Sequence, residues 1–524
     1  MKTKMPVTED GGSSPEKTET RKARRENTKS SLASSRSYQA SFKFEQMLEA
    51  TKGTVLTPMT VLPEEKFEIS TDTRTIGKGQ WFLPLSGPNF DGHHFLKQAI
   101  EQGANGAFVS QASWEESRQE WQGLPNLIAV ASPLKAYLDL AKWHRLHVNP
   151  KLKVLALTGS SGKTTTKEML FAAFSGIRET QKTLKNFNNE VGVSQTLLAI
   201  APETELAIVE MGMRGLHQID ILSDTALPDL AIINNVGPAH IELLGSLENV
   251  AKAKLEIAVG LNPTSGVLLT NGDDPLLNAM APEIWQPPDL KQWQTFSLKA
   301  AANIAPTQEG GVSFDYVPKT GHAYRVCLPV PGRHNVQNAL AVLKAGEILG
   351  LPLEEMIAGL ACFQPEGGRW QKQAISGYDN LWVINDAYNA NPDSTRASLE
   401  TFFEVPFAGL SRVLVLGGMK ELGDFSAQYH QALATLLARL QQEAPCPLDT
   451  LIGVGDEMQA VLSAFSAVMP KKRQPELYHV SNGTELLPLI KTQGLPLSSA
   501  LYFLKGSRFY QLEAFLTALT PTVL

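Results

Sequence analysis

Residues 154–174 read VLALT, GSSGKTTT and KEMLFAAF: a short apolar run, a glycine-bearing turn and an amphipathic segment. The apolar or β-branched run predicts a buried strand. Met169, Leu170, Ala173 and Phe174 recur at helical spacing, so the glycines fall where strand becomes helix. Such a junction is an anion site, because the first N–H groups of a helix lack partners and its dipole adds positive charge there. Gly159 and Gly162 let the backbone approach a phosphate, with Ser160 and Ser161 between them. Lys163 supplies a full charge, and the hydroxyl of Thr164, next to Thr165, can ligate Mg²⁺. The expected ligand is a nucleoside triphosphate. Leu157 stands where the longer GxxxxGK[ST] spacing has its first glycine, so the motif is the shorter GxxGKTT, for which a plain glycine-rich turn is the competing reading.

A chain of 524 residues exceeds one core, and at about 150 residues per domain it suggests roughly three. The 43% hydrophobic and 19% charged content is that of a soluble globular protein. A net charge of -6, with no basic stripe carrying interleaved aromatics, argues against a nucleic-acid partner. The cysteines, Cys327, Cys362 and Cys446, lie far apart without metal-ligand spacing, which fits a reducing compartment. No apolar run approaches the roughly 18 residues of a spanning helix, and no apolar segment near the start reads as a secretory signal. A cytoplasmic protein with no membrane insertion is expected.

Along the chain, residues 1–40 are rich in Ser, Thr, Lys, Arg and Glu and poor in large apolar groups, and read as a disordered tail. Glu9, Asp10, Glu16, Glu19 and Glu26 are too many acids for a transit peptide. Residues 41–150 form a small α/β unit with strands QWFLPL and GAFVS flanking a helix around Phe95 to Glu101. His93 and His94, taken alone, read as surface residues. Residues 151–362 alternate strands and helices as in a parallel sheet, with apolar runs LAIVEM, DLAIINNV and GVLLTN suited to a sheet covered on both faces. Glu210, then Asn234 and Asn235 with His240 beyond, then Asn271, Asp273 and Asp274 close those runs. The carboxyl edge of an open sheet is where ligands bind, so these groups are expected to converge on whatever the phosphate loop holds. Each could instead be a cap or turn residue. Residues 363–524 repeat the pattern with LWVINDAY, RVLVLGGM, TLIGVG and ALYFLKGS. No GxGxxG stands on a strand-to-helix turn, so NAD is not the expected ligand.

Several stretches together resemble the Mur ligases, ATP-dependent amide-forming enzymes of peptidoglycan synthesis: STDTR (70–74), FLPLSGPNFDGHHF (82–95), TGSSGKTTTKE (158–168), NFNNEVGVSQTLL (186–198), VEMGMRGLHQI (209–219), INNVGPAHIELLGSLENVAKAKLEI (233–257), DAYNANPDS (386–394), GGMKELG (417–423) and KGSR (505–508). YNANPDS and NNVGPAHIE are the most specific. Asn385 stands where the family often has a second aspartate, Gly418 where GDMxELG carries one, and Val342 where a second alanine follows GRHNVQNALA.

The resemblance implies α/β architecture in three domains: a small α/β UDP-substrate domain, a central parallel-sheet P-loop ATPase domain and a C-terminal Rossmann-like α/β domain. It implies ATP and Mg²⁺, and is strongest to the members that join D-alanyl-D-alanine to UDP-N-acetylmuramoyl-tripeptide through an acyl phosphate. By this resemblance Lys163 neutralises the β and γ phosphates, Thr164 and Glu210 hold the nucleotide's Mg²⁺, and His240 helps hold a second metal. Arg369 and Asp386 reach ATP from the third domain, and Asn335 and Asn338 lie near the adenine. Lys254 matches the lysine these ligases use in carbamylated form. Asp72, Arg74, Asp91 and His93 belong to the part holding the UDP end, Asn186 and Asn189 to the substrate site, and Tyr388, Asn389, Asn391 and Lys505 to the part meeting the dipeptide. The third domain is expected to swing in to complete the site, in a monomer. The competing readings are folylpolyglutamate synthase, which has no use for the DTR and DGHHF segments; a ligase adding the third residue of the peptide stem, whose diaminopimelate form carries DNPR; and a phosphate-loop regulator without catalysis.

Overall fold

The computed structural model describes residues 38–286, 289, 292–318, 321–405 and 409–520, so the expected tail lies outside the described residues except at its last three positions. Three six-stranded sheets follow one another along the chain, each covered by helices. In the first, the spatial order is Ser41–Lys43, Lys66–Ser70, Trp81–Phe82, Gly106–Ser110, Leu127–Val130 and Thr54–Val55, with the two outermost strands antiparallel to their neighbours and the inner ones parallel. Trp81 is fully buried and packs against Phe44, Phe67 and Phe108, with ring centroids 5.8–6.2 Å apart. GAFVS is a strand as expected. QWFLPL contributes only Trp81–Phe82, because Pro84 has no N–H to continue a ladder. The expected helix begins as a 3₁₀ turn, Gly92–Phe95, and continues as Leu96–Glu101.

The central sheet is parallel throughout, in the order Thr180–Lys182, Leu206–Glu210, Lys153–Thr158, Leu230–Ile233, Val267–Asn271 and Trp293–Phe296. The apolar runs read from the sequence, VLALT included, are its four inner strands. Its two edge strands carry mixed polar residues, and a hydrophobic-run criterion passes over them. A further departure is a three-stranded antiparallel sheet, Ala301–Pro306, Val312–Tyr316 and Tyr324–Leu328, in a region expected to be parallel α/β. Its period-two pattern of burial puts Val312, Phe314 and Tyr316 on one face, against helix Arg333–Ile348 and its neighbours.

The third sheet runs Gln371–Ala374, Leu381–Asp386, Ala500–Lys505, Ser411–Gly417, Thr450–Val454 and Glu476–Val480, parallel except for the first strand. The four expected strands are present; Gln371–Ala374 and Glu476–Val480 are edges with polar sequences.

Helix Lys163–Phe174, which leaves the phosphate loop, is fixed from behind by Leu353–Leu360. The helices meet at Gly359, where an added Cβ would stand 2.3 Å from the Ala172 carbonyl oxygen and 2.7 Å from the Ala173 Cα. Backbone atoms cannot rotate away, so Gly359→Ala forces the helices apart. Its destabilisation should be about 1–3 kcal/mol, exceeding the propensity gain of about 0.5–1 kcal/mol. Urea denaturation of the variant should show the loss, and an unchanged midpoint would contradict this packing.

Candidate active site

The phosphate loop begins where Thr158 ends the central strand Lys153–Thr158 and closes at Gly162, whose φ of +76° admits glycine at little cost. A Cβ on Gly162 would stand 2.7 Å from Asn338 Oδ1, and one on Gly159 would stand 2.9 Å from the Asn234 Cβ. Both glycines are therefore needed for close approach. The neighbouring strand end holds the loop's shape. Ser161 N–H donates to Asn235 Oδ1 at 2.9 Å, Ser160 N–H to the Asn235 carbonyl at 3.1 Å, and Gly237 N–H to Ser160 Oγ at 2.8 Å. Lys163 Nζ donates to the Gly159 carbonyl at 2.6 Å, which folds its cation over the loop.

Glu210 ends strand Leu206–Glu210 and is 1% exposed. Its carboxylate accepts from Thr164 Oγ1 at 3.0 Å and from Asn188 Nδ2 at 2.9 Å, and lies 3.3 Å from the fully buried Lys167 ammonium. Thr164 and Glu210 are thus side by side, as the sequence implied. Asn188 and Lys167 orient the carboxylate and were not singled out from the sequence, since nothing in their spacing separates them from ordinary loop and helix residues. Among the described residues no three His, Cys, Asp or Glu side chains gather into a metal cage. Two oxygen donors beside an anion site instead fit Mg²⁺ that takes its other ligands from phosphates and water.

Ser160 to Thr165, Asn188, Glu210, Asn234 and Asn235 line one cleft of about 940 Å³ between the central and third domains. Asn186, Asn189, Asn335, Asn338, His240, Lys254, Arg369, Asp386, Tyr388, Asn389, Asn391 and Lys505 also line it. The domains touch across it. Asn391 Nδ2 donates to the Ser160 carbonyl at 3.2 Å, and a Cβ on Gly237 would fall 1.8 Å from Asp393 Oδ2. Lys254, on helix Leu247–Leu255, is 2% exposed. Burial, reinforced by the Lys163 charge, lowers its pKa well below the ordinary lysine value. The Lys163 pKa is also lowered, by burial and by Arg369, against the opposing pull of Glu210. The Arg369 guanidinium lies over the Tyr388 ring, 3.9 Å from its centroid, with Arg508 5.7 Å from the same centroid.

Several expected residues serve their neighbours. Asp386 Oδ2 accepts from Lys505 Nζ at 2.9 Å and Ser398 Oγ at 2.6 Å, and its Oδ1 accepts from Trp370 N–H at 3.1 Å. Lys505 is thereby committed to a buried ion pair rather than left free for a dipeptide. Asn189 caps helix Glu190–Leu198, Asn391 caps Pro392–Glu404, and Asn335 Nδ2 donates to the Pro331 carbonyl at 2.7 Å. Asn271, Asp273 and Asp274 do not join the cleft lining as expected: Asp274 caps Pro275–Ile284, Asp273 accepts from Leu298 N–H, and Asn271 accepts from Gln337. The cap-and-turn reading holds for all three. Gly418 lies against another carboxylate, since a Cβ there would stand 3.0 Å from Glu457 Oε2. Asn385 Oδ1 accepts from Ala387 N–H at 3.1 Å, as a turn residue.

The first-domain residues lie outside this cleft's lining. Asp72 and Arg74 form an exposed pair at 2.7 Å, whose hydrogen bonds lower the Asp72 carboxyl to about 2. His93, read from the sequence as a surface residue, is 5% exposed and stacked on Trp121. Its Nε2 accepts from Ser110 N–H at 3.0 Å, so the neutral ring carries its proton on Nδ1, 2.7 Å from Asp91 Oδ1. Both ring nitrogens are occupied, and Asp91 also accepts from Ser86 Oγ at 2.6 Å. These bonds shape the 86–93 loop and leave His93 no free nitrogen for a ligand. His334, in the cleft lining, was not singled out from the sequence; Glu421, also in the lining, stands among the polar residues at the strand ends of the third unit but was given no role.

A phosphate loop, an oriented carboxylate and buried cations drawn from two domains define a nucleotide-dependent enzyme that handles several anions in one cleft. Comparison with known proteins gives the family. Residues 68–156 match the Mur ligase family, catalytic domain; 157–346 the Mur ligase middle domain; and 368–446 the Mur ligase, glutamate ligase domain. The chain is 34% identical to the UDP-N-acetylmuramoyl-tripeptide--D-alanyl-D-alanine ligase of Bacillus subtilis over 473 residues, 89% of this chain and 95% of that one. It is 35% identical to the Escherichia coli protein of the same name over 462 residues, 86% and 93% of the two chains. The crystal structure of MurF from Acinetobacter baumannii superposes with a TM-score of 0.77 at 31% identity, covering 92% of this chain and 99% of that one. The chain belongs to the Mur ligase family.

Two measurements test the geometry. Gly162→Ala must hold a positive φ at about 1–2 kcal/mol and push Asn338 aside, so nucleotide affinity by calorimetry should fall about 5- to 30-fold. Unchanged affinity would remove the loop from the binding site. Burial lowers His334 to about 4 from its usual 6.5, opposed by Asp386 and aided by Lys505. The unfolded chain therefore takes up this proton first as pH falls. Stability from the neutral ring is present above pH 6.5 and is lost toward pH 4. Between those pH values His334→Gln should lose urea resistance less steeply than wild type, and parallel curves would exclude the assignment.

Proposed function

We propose that the protein joins D-alanyl-D-alanine to UDP-N-acetylmuramoyl-tripeptide, converting ATP to ADP and phosphate, and so makes the UDP-linked pentapeptide of peptidoglycan synthesis. What carries this reading is similarity along nearly the whole chain, through all three domains, to ligases of that name. No helix among the described residues is long and apolar enough to cross a membrane. The proposed setting is the cytoplasm, and the cleft, built from one chain, suits a monomer.

The tripeptide carboxylate is a poor electrophile until one of its oxygens bonds to the γ-phosphorus of ATP and ADP departs. The dipeptide amine then adds to the acyl carbon, the C–O bond to phosphate breaks, and the amine loses a proton. Negative charge gathers at each stage, and fixed cations lining the cleft stabilise it. Lys163 and the loop N–H groups hold the β and γ phosphates, and Arg369, aligned by Tyr388, faces them from the third domain. Thr164 and Glu210 would hold Mg²⁺, which would supply neutralisation of phosphate charge. Asn335 and Asn338 border the nucleotide. Asp386 acts through its bonds to Trp370, Ser398 and Lys505, shaping the third-domain wall, while Tyr388, Asn389 and Asn391 border the dipeptide. The first domain, through Asp72, Arg74 and the 86–93 loop, takes the UDP end.

Lys254 is proposed to act as a carbamate. A buried amine with a lowered pKa is neutral often enough to add CO₂, forming an N–C bond and releasing a proton. The product is an anion among the cations Lys163 and Arg369, which burial otherwise leaves poorly compensated.

The test is one reaction series with purified protein, ATP, Mg²⁺, UDP-muramoyl tripeptides and a dipeptide panel, read by product mass. Pentapeptide should form with D-alanyl-D-alanine and disappear with Lys163→Ala. Lys254→Ala should lose at least about 100-fold in kcat and recover in part with added short carboxylates. No pentapeptide from wild type would overturn the ligase reading, and an unimpaired Lys254→Ala would overturn the carbamate alone.

A further inference from the structure

His240 and Glu421 face each other across the domain boundary with Nδ1 and Oε2 2.7 Å apart, and both line the cleft. Both also sit in the left-handed region, at φ +60° and +63°, where a non-glycine residue is held only if its surroundings impose it. The surroundings are specific. His240 begins the short helix Ile241–Leu244 of the central domain, and Glu421 precedes the 3₁₀ turn Gly423–Phe425 of the third. Ile241, 3% exposed, is buried in the third domain's own core, a cluster containing Trp370, Met419 and Leu422. Gly423 lies against Glu242, where an added Cβ would stand 2.9 Å from its Cγ. A central-domain turn is therefore seated in the third domain by an apolar plug, a bare backbone position and a charged contact.

We propose that Glu421 is a positioning residue: from the third domain it fixes the His240 imidazole in the cleft, so that the ring is correctly placed only when the domains are together. The Nδ1 contact with Glu421 is a close ion-pair approach rather than an aligned hydrogen bond, and it turns Nε2 toward the reacting groups. Domain closure and readiness for phosphoryl transfer thereby become one event: an open enzyme holds nucleotide without its His240 in register. A displacement of order 1 Å at a reacting group costs about 100-fold in rate, so a side chain that never touches substrate can govern kcat.

This rests on the ligase reading, and the test separates the two. Wild-type enzyme, Glu421→Ala, Glu421→Gln, His240→Ala and the double variant Glu421→Ala/His240→Ala are compared for pentapeptide formation, with kcat and each KM measured at saturating Mg²⁺. Glu421→Ala should lower kcat about 10- to 100-fold with each KM within about threefold of wild type. Glu421→Gln, which keeps an oxygen at the same place, should recover most of that loss. In the His240→Ala background the Glu421→Ala change should have almost no further effect, because its target is gone. Additive losses, a change confined to KM, or a Gln variant as impaired as Ala would each overturn the proposal. Absence of pentapeptide from wild type would strike the ligase reading. Urea midpoints measured in parallel guard against misfolding; if Glu421→Ala is destabilised, the Gln variant in both His240 backgrounds decides the question.

Discussion

Positive charge crowded into and beneath one cleft is the constraint on which the site depends. Lys163, Lys254 and Arg369 are brought together from two domains, and Lys163 and Lys254 each have their pKa lowered, chiefly by burial and further by a neighbouring cation. Glu210 offsets part of this, but its oxygens are already engaged by Thr164, Asn188 and Lys167. A site so arranged is under electrostatic tension until an anion arrives. Phosphate and carboxylate groups relieve it, so the cost of crowding the cations becomes selectivity for anionic ligands.

That charge arrangement needs two lobes, because no single sheet edge could present so many cations at close range. The central domain provides the phosphate loop, the Glu210 carboxylate and Lys254. The third domain provides Arg369 with the stacked Tyr388, and the Asp386–Lys505 pair that stiffens its wall. His334 lies where the two meet, near enough to Asp386 and Lys505 to feel both charges. The first domain extends the same body without lining the cleft.

How much was legible in the sequence depended on whether a feature is local. The phosphate loop, the inner strands and the polar residues at their carboxyl ends follow from short-range pattern, and Thr164 beside Glu210 was implied before any coordinates. Edge strands such as Thr180–Lys182 and Glu476–Val480 were missed because a strand covered on one side need not be apolar. The antiparallel sheet at 301–328 was missed because its alternation is short and interrupted by turns. Partnership was the hardest to read. Asn271 and Asp274 look like site residues but cap and turn, whereas Asn188 and His334 look ordinary, and Glu421, legible as a strand-end polar residue, shows its partner His240 only through a contact across a sequence separation that spacing cannot reveal. His93 illustrates the same limit: its burial comes from Trp121, more than twenty residues away in the chain.

The narrow gap at Gly237 bears on how such a protein can change over evolutionary time. The strand end that braces the phosphate loop comes so near the Asp393 carboxylate that a single methyl group would fill the space. That one position works as a feeler gauge between the lobes: a methyl group there must first displace the Asp393 carboxylate, and a bulkier side chain presses further on the facing lobe while leaving every group of the chemistry intact. Drift in catalytic efficiency could therefore originate at a residue with no functional group at all.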